Sequence, residues 1–179
     1  MDEKRLLERC LQGDGEGFKM MVEMLGAQAM SLAVNILRNH EDAEDACQEA
    51  FLQAFQNLSQ FDQRQSLKRW FLTILYRRCV DQLRRRKRFY RFFAKLKKEG
   101  GLSHAEKNTE FSQAERKILT RATLDSLPPK ERAAITLWAL EGYTAEEIAE
   151  ILGCRASTAR VYLFKARQKI KALLEKQHV

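Results

Sequence analysis

Residues that break helices are rare in this chain. It has only two prolines among 179 residues, side by side at Pro128 and Pro129, and its eight glycines fall in a few short stretches. No segment alternates apolar and polar residues in the way that is typical of a strand. The sequence therefore argues against a sheet-based fold and predicts an all-α protein.

Cysteine and histidine are also scarce. The four cysteines form no C-x-x-C pair, and the three histidines do not cluster with them, so no zinc site is expected. Three of the cysteines, Cys47, Cys79 and Cys154, occupy apolar positions of helical patterns. This placement predicts reduced thiols in the core of a cytosolic protein.

The chain also lacks the usual sequence features of enzymes and of membrane proteins. It has no glycine-rich phosphate loop, no nucleophile paired with a base and no metal-binding cluster, so neither catalysis nor a cofactor is expected. No apolar run approaches the roughly 20 residues of a spanning helix, and the first residues do not resemble a signal peptide. We therefore expect a soluble, cytoplasmic protein.

Charge is plentiful but unevenly distributed. The net charge of +8 favours a polyanionic partner. Between Arg38 and Arg64 the chain has six acidic residues and no lysine or arginine, whereas 84–98 has nine basic residues and no acidic one. The five consecutive cations at 84–88 repel one another unless a polyanion offsets their charge. The chain thus offers an acidic surface for a basic protein and a cationic surface for nucleic acid.

Apolar residues at helical spacing predict a series of helices with short breaks between them. The predicted helices cover about 3–12, 17–38, 41–58, 66–93, 112–126, 129–141, 145–152 and 157–176. The sequence between 95 and 109 is polar and lacks this spacing, as is typical of a linker. We predict two small helical domains, 1–94 and 112–179, joined by a polar linker at 95–111.

The last two predicted helices form a helix-turn-helix pattern. Thr144 and Glu147 have the spacing of a capping box, and Gly153 is suited to end the first helix. From residue 154 to 176 there are seven basic residues and one acidic residue. The outward positions of the second helix suit base edges and phosphates: Arg155, Ser157, Thr158, Arg160, Val161, Phe164 and Lys165. An ordinary helical hairpin with a basic face is the alternative.

The predicted helix at 41–58 has two distinct faces. One face is an apolar stripe that we expect to be buried, consisting of Ala43, Ala46, Ala50, Phe51, Ala54, Phe55 and Leu58. The other stripe is polar and acidic, with Asp42, Asp45, Gln48, Glu49 and Gln53, and we expect it to be exposed. Acids near a helix N-terminus also favour the helix dipole by themselves. Their number nevertheless suggests a basic protein partner.

A polar loop and an increasingly cationic helix follow at 61–88. Single-stranded nucleic acid requires aromatic faces for its bases and cations for its backbone, and this segment has both. Trp70, Phe71, Ile74 and Leu75 equally suit a helix core, and the core is the simpler interpretation for most of them. The run of cations is the more specific signal.

These segments, in this order, closely resemble the bacterial RNA polymerase sigma factors, and in particular the small extracytoplasmic-function (ECF) group of the sigma-70 family. The resemblance covers nearly the whole chain. Its most specific parts are 42–51 with Ala54 and Phe55, 61–70 with Asp81 and 83–86, Leu127–Pro128 with Arg132, and the helix-turn-helix at 143–167. Sigma factors of this group retain sigma regions two and four, so the resemblance implies these regions for the two predicted domains.

The resemblance implies a role for each charged segment. The acidic helix would bind the coiled coil of the largest polymerase subunit through Asp42, Asp45, Gln48, Glu49 and Leu52. The loop and following helix would recognise and melt the minus-ten element through Asp62, Arg64, Ser66, Lys68, Arg69, Trp70, Arg77 and Arg84, capturing a flipped base. The outward residues of the second helix of the helix-turn-helix would read the minus-thirty-five element. An anti-sigma factor that occludes both domains is also implied.

The chain departs from the family pattern at the second helix of the helix-turn-helix. Arg155 stands where the family usually has serine or threonine, and Val161 and Tyr162 replace a Ser-Arg pair. Two other functions remain open from the residues alone. One is a conventional helix-turn-helix regulator with an N-terminal sensing or dimerisation domain, and the other is an RNA-binding or interaction protein, such as a sigma mimic.

Overall fold

The computed structural model describes residues 3–11, 15–96 and 121–177, and it is helical throughout these ranges apart from short turns. The first part contains α1 (Glu3–Leu11), α2 (Gly15–Leu37), α3 (His40–Asn57), a short 3-10 turn (Leu58–Gln60) and α4 (Leu67–Leu96). The second part contains α5 (Arg121–Asp125), α6 (Pro129–Glu141), α7 (Ala145–Leu152) and α8 (Ala156–Gln177). The described residues include no strand, and the all-α prediction is confirmed.

Helix α2 is the central helix of the N-terminal domain and packs on α1, α3 and α4. By length and composition it could cross a membrane, so the prediction that no segment approaches this limit was wrong. It is nevertheless a core helix, with Met21, Leu25, Ala29, Leu32 and Ile36 buried. The helix ends at Leu37, and the next residue, Arg38, adopts a left-handed conformation with φ 61° that is uncommon outside glycine.

The predicted apolar stripe of α3 is buried with one exception. Phe51 stacks on Phe71 of α4 with ring centroids 4.4 Å apart, and the alanines of the stripe are covered. Phe55 is 36% exposed, although its ring packs edge-on against Phe18 of α2 with centroids 5.1 Å apart. The prediction that Phe55 is buried was therefore wrong in part.

Helix α6 is buried on almost all sides over its first half, where it contacts α2, α7 and α8. The residues from Glu131 to Leu137 are all buried, including Arg132. In the helix predicted at 129–141, the apolar residues Ile135, Trp138, Ala139 and Leu140 predict a core face, but Trp138 and Ala139 are exposed. Helices from both domains contact α6. The exposed ring of Trp138 is covered in part by the guanidinium of Arg167 of α8, 4.0 Å from its centre.

The two parts of the chain pack against each other through α2 with α6 and α4 with α7. Their buried apolar residues belong to one cluster, rather than to two separate cores. Helix α4 continues to Leu96, so the first two residues of the predicted linker are helical. The rest of the linker, and most of the helix predicted at 112–126, lie outside the described residues.

Candidate promoter-binding and polymerase-binding surfaces

The helix-turn-helix is built by the local signals that the sequence contains. The Thr144 hydroxyl accepts a hydrogen bond from the Glu147 N–H at 3.3 Å, and the Thr144 N–H donates to Glu147 Oε2 at 2.9 Å, which completes a capping box at the start of α7. Gly153 ends α7 with φ 62°, a left-handed conformation that glycine adopts without strain. This turn sets the direction in which α8 leaves the domain.

Helix α8 buries one side and exposes the residues predicted to read DNA. Ala159, Leu163, Ala166 and Ile170 are buried at helical spacing. On the accessible side lie Arg155, Ser157, Arg160, Val161, Phe164 and Lys165, which are exposed, and Thr158, which is half-buried. Val161 and Phe164 are 47% and 62% exposed, and apolar groups at such positions suit thymine methyl groups. The structure thus brings the whole predicted set together on one surface.

The predicted polymerase-binding residues of α3 divide into two groups. Asp45, Gln48 and Leu52 form an exposed stripe, with Leu52 57% exposed. Asp42 accepts a hydrogen bond from Gln82 at 2.9 Å and lies 3.6 Å from the guanidinium of Arg86. Both partners belong to α4. We name Asp45, Gln48 and Leu52 the α3 stripe.

Glu49 belongs to the second group with Asp42. Its carboxylate lies 3.4 Å from the guanidinium of Arg78, which also donates a hydrogen bond to Gln53 at 2.8 Å. Asp42 and Glu49 therefore neutralise cations of α4 as well as facing solvent. Phe55 was missed as a surface residue, and it extends the α3 stripe by one turn next to Leu52.

The loop before α4 is shaped by two of the predicted minus-ten residues. Asp62 accepts a hydrogen bond from the Arg64 N–H at 3.0 Å, and Ser66 accepts one from the Arg69 N–H at 3.4 Å at the start of the helix. The rings of Trp70 and Phe61 lie 5.0 Å apart, so Trp70 is only half-exposed. Asp62 and Ser66 thus have a structural role whether or not they also contact DNA.

Helix α4 presents its cations in three directions. Arg77 and Arg84 are exposed, and the half-buried Trp70 lies on the same face seven residues before Arg77; we name these three residues the α4 stripe. Arg78 and Arg86 point towards α3. Lys68 and Arg69 point towards the C-terminal domain. The predicted minus-ten residues of α4 therefore face two of these directions. Trp70, Arg77 and Arg84 form the α4 stripe, whereas Lys68 and Arg69 face the C-terminal domain.

The cationic end of α4 borders an open cavity of about 520 Å³. Its lining includes Asp81, Arg84, Arg85, Lys87 and Arg88. Among them only Arg84 was predicted as a site residue. Arg85, Lys87 and Arg88 are further candidates for phosphate contacts, and the run of consecutive cations was the signal that could have identified them individually.

Arg69 contacts two carboxylates of the C-terminal domain. Its Nη1 donates to Glu147 Oε1 at 2.8 Å, and its Nε lies 3.4 Å from a carboxylate oxygen of Glu150. Hydrogen bonds from Thr144, with Arg69 beside the carboxylate, hold the pKa of Glu147 below its usual range. Lys68 lies 3.9 Å from Glu141 and above the ring of Tyr143.

The thiols predicted to be in the core are reduced and mostly buried. Burial raises the pKa of Cys47 to about 11 and that of Cys79 to about 12, so both are protonated at neutral pH. Cys154, in the turn before α8, is only partly buried. Within the described part of the chain, no group of three or more His, Cys, Asp or Glu side chains has an arrangement that could hold a metal ion.

Comparison with known proteins identifies both domains. The family model of sigma-70 region 2 matches residues 21–89, and that of sigma-70 region 4 matches residues 117–170. The class of protein is therefore a sigma-70-type transcription initiation factor, and factors of this class are not enzymes.

Individual relatives narrow the class. The chain is 32% identical to the ECF RNA polymerase sigma factor EcfG of Rhodopseudomonas palustris, over 80% of this chain and 77% of that protein. It is 31% identical to the ECF RNA polymerase sigma-E factor of Escherichia coli K12, over 92% of this chain and 90% of that protein. The sigma factor RpoE of Bartonella quintana, solved in complex with the anti-sigma factor NepR, has a TM-score of 0.70 at 25% identity, over 88% of this chain and 96% of that one. The chain belongs to the ECF group of the sigma-70 family, and the resemblance inferred from sequence is confirmed.

Proposed function

We propose that this sigma factor binds core RNA polymerase through α3 and directs it to promoters. The observation that carries the proposal is the pair of accessible surfaces on one chain: the acidic and apolar α3 stripe, and the cationic reading face of α8. Asp45, Gln48 and Leu52 would make the central contacts with the coiled coil of the largest polymerase subunit. Asp42 and Glu49 would add contacts at the edge, next to α4.

Promoter DNA would be contacted at two elements. The exposed residues of α8 would enter the major groove of the minus-thirty-five element, which remains double-stranded. The loop at 61–66, the α4 stripe, Lys68 and Arg69 would contact the minus-ten element and hold its melted strand by stacking and by ion pairs with phosphates. The predicted boundaries, 1–94, 95–111 and 112–179, are part of this proposal.

Control by an anti-sigma factor also belongs to the proposal. The Bartonella quintana relative was solved with such a partner, and this chain shares its fold over most of its length. Initiation on chromosomal promoters further implies a cytoplasmic protein that needs no cofactor and catalyses no reaction of its own.

Run-off transcription with purified bacterial core polymerase tests the proposal most directly. Genomic fragments would serve as the template pool, with and without this protein. We expect discrete new transcripts that depend on the protein and that share two sequence elements upstream of their starts. Specific binding to duplex DNA by the protein alone, without any transcript, would instead support the conventional regulator.

The variant Asp45→Lys tests the polymerase-binding surface. Reversing an exposed charge at the centre of the α3 stripe should weaken core binding at least about tenfold, because like charges would then face each other across the contact. The matched control is Glu23→Lys, which makes the same charge change at an exposed position of α2. Equal core affinity of the two variants, measured by surface plasmon resonance, would contradict the assignment of α3.

A further inference from the structure

Trp138 of α6 and Arg167 of α8 form a cation–π pair at the surface of the C-terminal domain. The guanidinium carbon of Arg167 lies over the Trp138 ring, 4.0 Å from its centre, well inside the distance of about 6 Å at which such contacts are attractive. Both side chains are exposed, and 43% of the Trp138 surface remains accessible. The ring is therefore not enclosed by the core, and it offers one face to Arg167.

Arg167 lies on the same edge of α8 as Arg160, one of the predicted base-reading residues. The two are seven residues apart, which is about two helical turns, so their side chains leave the helix in similar directions. In helix-turn-helix proteins the first residues of the second helix contact base edges. Arg167 lies about 17 Å further along α8 than Ala156, its first residue, and the major groove is only about 12 Å wide. This distance brings Arg167 to the level of the backbone phosphates.

The two arginines on this edge have different partners. Arg160 pairs with the carboxylate of Glu146, which offsets its charge and occupies N–H donors. Among the described residues no carboxylate pairs with Arg167, whose partner is the uncharged indole of Trp138. An aromatic ring contacts the flat face of a guanidinium and leaves the donors in its plane available for a phosphate. Arg167 thus keeps its full charge and its donors while its position is held.

A guanidinium that is already in place binds a phosphate at a lower cost. An exposed arginine has many rotamers, and it loses this freedom when a ligand fixes its side chain. The contact with Trp138 restricts Arg167 before DNA arrives, so less freedom is lost on binding. Because Trp138 belongs to α6, whose residues from Glu131 to Leu137 are buried, its ring is attached to a well-packed part of the domain.

We propose that Trp138 is a positioning residue for promoter binding, and that it holds Arg167 beside the reading face of α8 for contact with a backbone phosphate of the minus-thirty-five element. This inference rests on the proposed function, because it takes α8 as the helix that binds this element. Phosphate contacts fix the position of a protein on the duplex without reading its sequence. The pair therefore strengthens the binding of promoter DNA and does not select its bases.

Holoenzymes assembled from purified core polymerase and variants of the full chain test the role of Trp138. The probe is a fluorescein-labelled promoter fragment from the run-off experiment, and fluorescence anisotropy measures its affinity in the cold, where the duplex stays closed. Trp138→Leu removes the aromatic face but keeps an apolar side chain, and we expect about threefold weaker binding, as for the loss of an exposed cation–π contact. Trp138→Phe, which keeps an aromatic ring, should bind about as tightly as the wild type.

Arg167→Ala shows whether Trp138 acts through Arg167. We expect about tenfold weaker binding, and a plot of log affinity against log salt concentration should lose about one unit of slope, as for the loss of one phosphate contact. Adding Trp138→Leu to Arg167→Ala should cause no further loss, because the group that the ring positions is absent. The matched control is Lys19→Ala, which removes the same charge at an exposed position of α2 and should leave the affinity unchanged.

NMR spectroscopy of the free protein tests the contact without polymerase or DNA. The ring current of Trp138 should move the side-chain proton signals of Arg167 upfield, and Trp138→Leu should return these signals to their ordinary positions. Signals of Arg167 that are the same in the wild type and in Trp138→Leu would mean that the ring does not hold the guanidinium, and the inference would be wrong.

Equal promoter affinities of the wild type and Trp138→Leu would overturn the positioning role. A loss from Trp138→Leu that is as large without Arg167 as with it would also overturn the role, since Trp138 would then act on the fold or on DNA directly. Transcription by the wild-type holoenzyme separates these outcomes from failure of the proposed function. If the wild type yields no transcript from any fragment, the proposed function fails and the positioning role fails with it. If the wild type transcribes and the variants contradict the expectations, only the positioning role is wrong.

Discussion

Helices α4 and α8 are both long and rich in cations, yet their predicted DNA contacts have different environments. At α8, six of the seven predicted residues are exposed, and the seventh, Thr158, is half-buried. On α4, the predicted residues point in different directions, because α4 contacts α2, α3 and α7 while α8 contacts only α6 and α7 among the more extensive helix contacts. A helix that is covered on one side leaves its polar face available for a ligand. In a helix that is covered on several sides, some polar residues contact neighbouring helices and only the others face solvent.

The difference shows where a sequence pattern is sufficient to predict which residues of a helix are exposed. The exposed face of α8 follows from its own apolar residues and from the turn at Gly153, which are both local. The directions of Lys68, Arg69 and Arg78 depend on which carboxylates other helices bring close to α4. Lys68, Arg69 and Arg78 lie beside carboxylates of α6, α7 and α3, respectively.

Thiol reactivity should show the largest contrast between these two regions. Cys79 of α4 is fully buried with its pKa raised to about 12, whereas Cys154 lies partly exposed just before α8. Since the thiolate is the reactive form, we expect iodoacetamide to modify Cys154 at least about 100-fold faster than Cys79 at neutral pH. Mass spectrometry of a time course measures both rates. Rates that differ as much in denaturant as in the native protein would contradict this explanation.

Alanine substitutions at two adjacent arginines of α4 should show which face of this helix contacts DNA. Arg77→Ala removes a cation of the α4 stripe and should reduce promoter opening about tenfold, as expected for a contact to the melted strand. Arg78→Ala removes a cation that faces Glu49 and Gln53, so its effect on opening should remain below about fivefold. Permanganate reactivity of unpaired thymines, with core polymerase in excess, measures opening. Equal effects would mean that both faces of α4 contact DNA.

Two glycine substitutions should show the smallest effects, with opposite signs. Gly153→Ala should lower the free energy of unfolding by about 1 kcal/mol, because φ is 62° there although no atom lies within 4 Å of an added Cβ. Gly26→Ala should raise the free energy of unfolding by about 0.5–1 kcal/mol, because alanine favours the interior of a helix more than glycine does. The added Cβ has room, since its nearest neighbour, a methyl group of Val22, would lie 4.0 Å away. Urea unfolding followed by circular dichroism measures both changes. A gain in stability at Gly153 would contradict the role of the left-handed turn.

Much of the fold could be predicted from the sequence because helix signals act over a few residues. The capping box at Thr144, the proline at the first position of α6 and the glycine after α7 all lie at the predicted positions. Trp138 and Phe55 were predicted to be buried on the same reasoning and are exposed instead. Helical spacing identifies an apolar stripe, but it does not show how far a neighbouring helix extends along that stripe.

The sequence by itself determined the helical class, the helix-turn-helix with its reading face, and the family to which the chain belongs. Each of these follows from residues close together in the chain or from motifs that comparison confirmed. Only the tertiary structure decided that Lys68 and Arg69 turn towards the C-terminal domain and that the two domains share one apolar cluster. Arg69 and Glu147 are 78 residues apart, so only the packing of α4 on α7 could bring the guanidinium to its carboxylate.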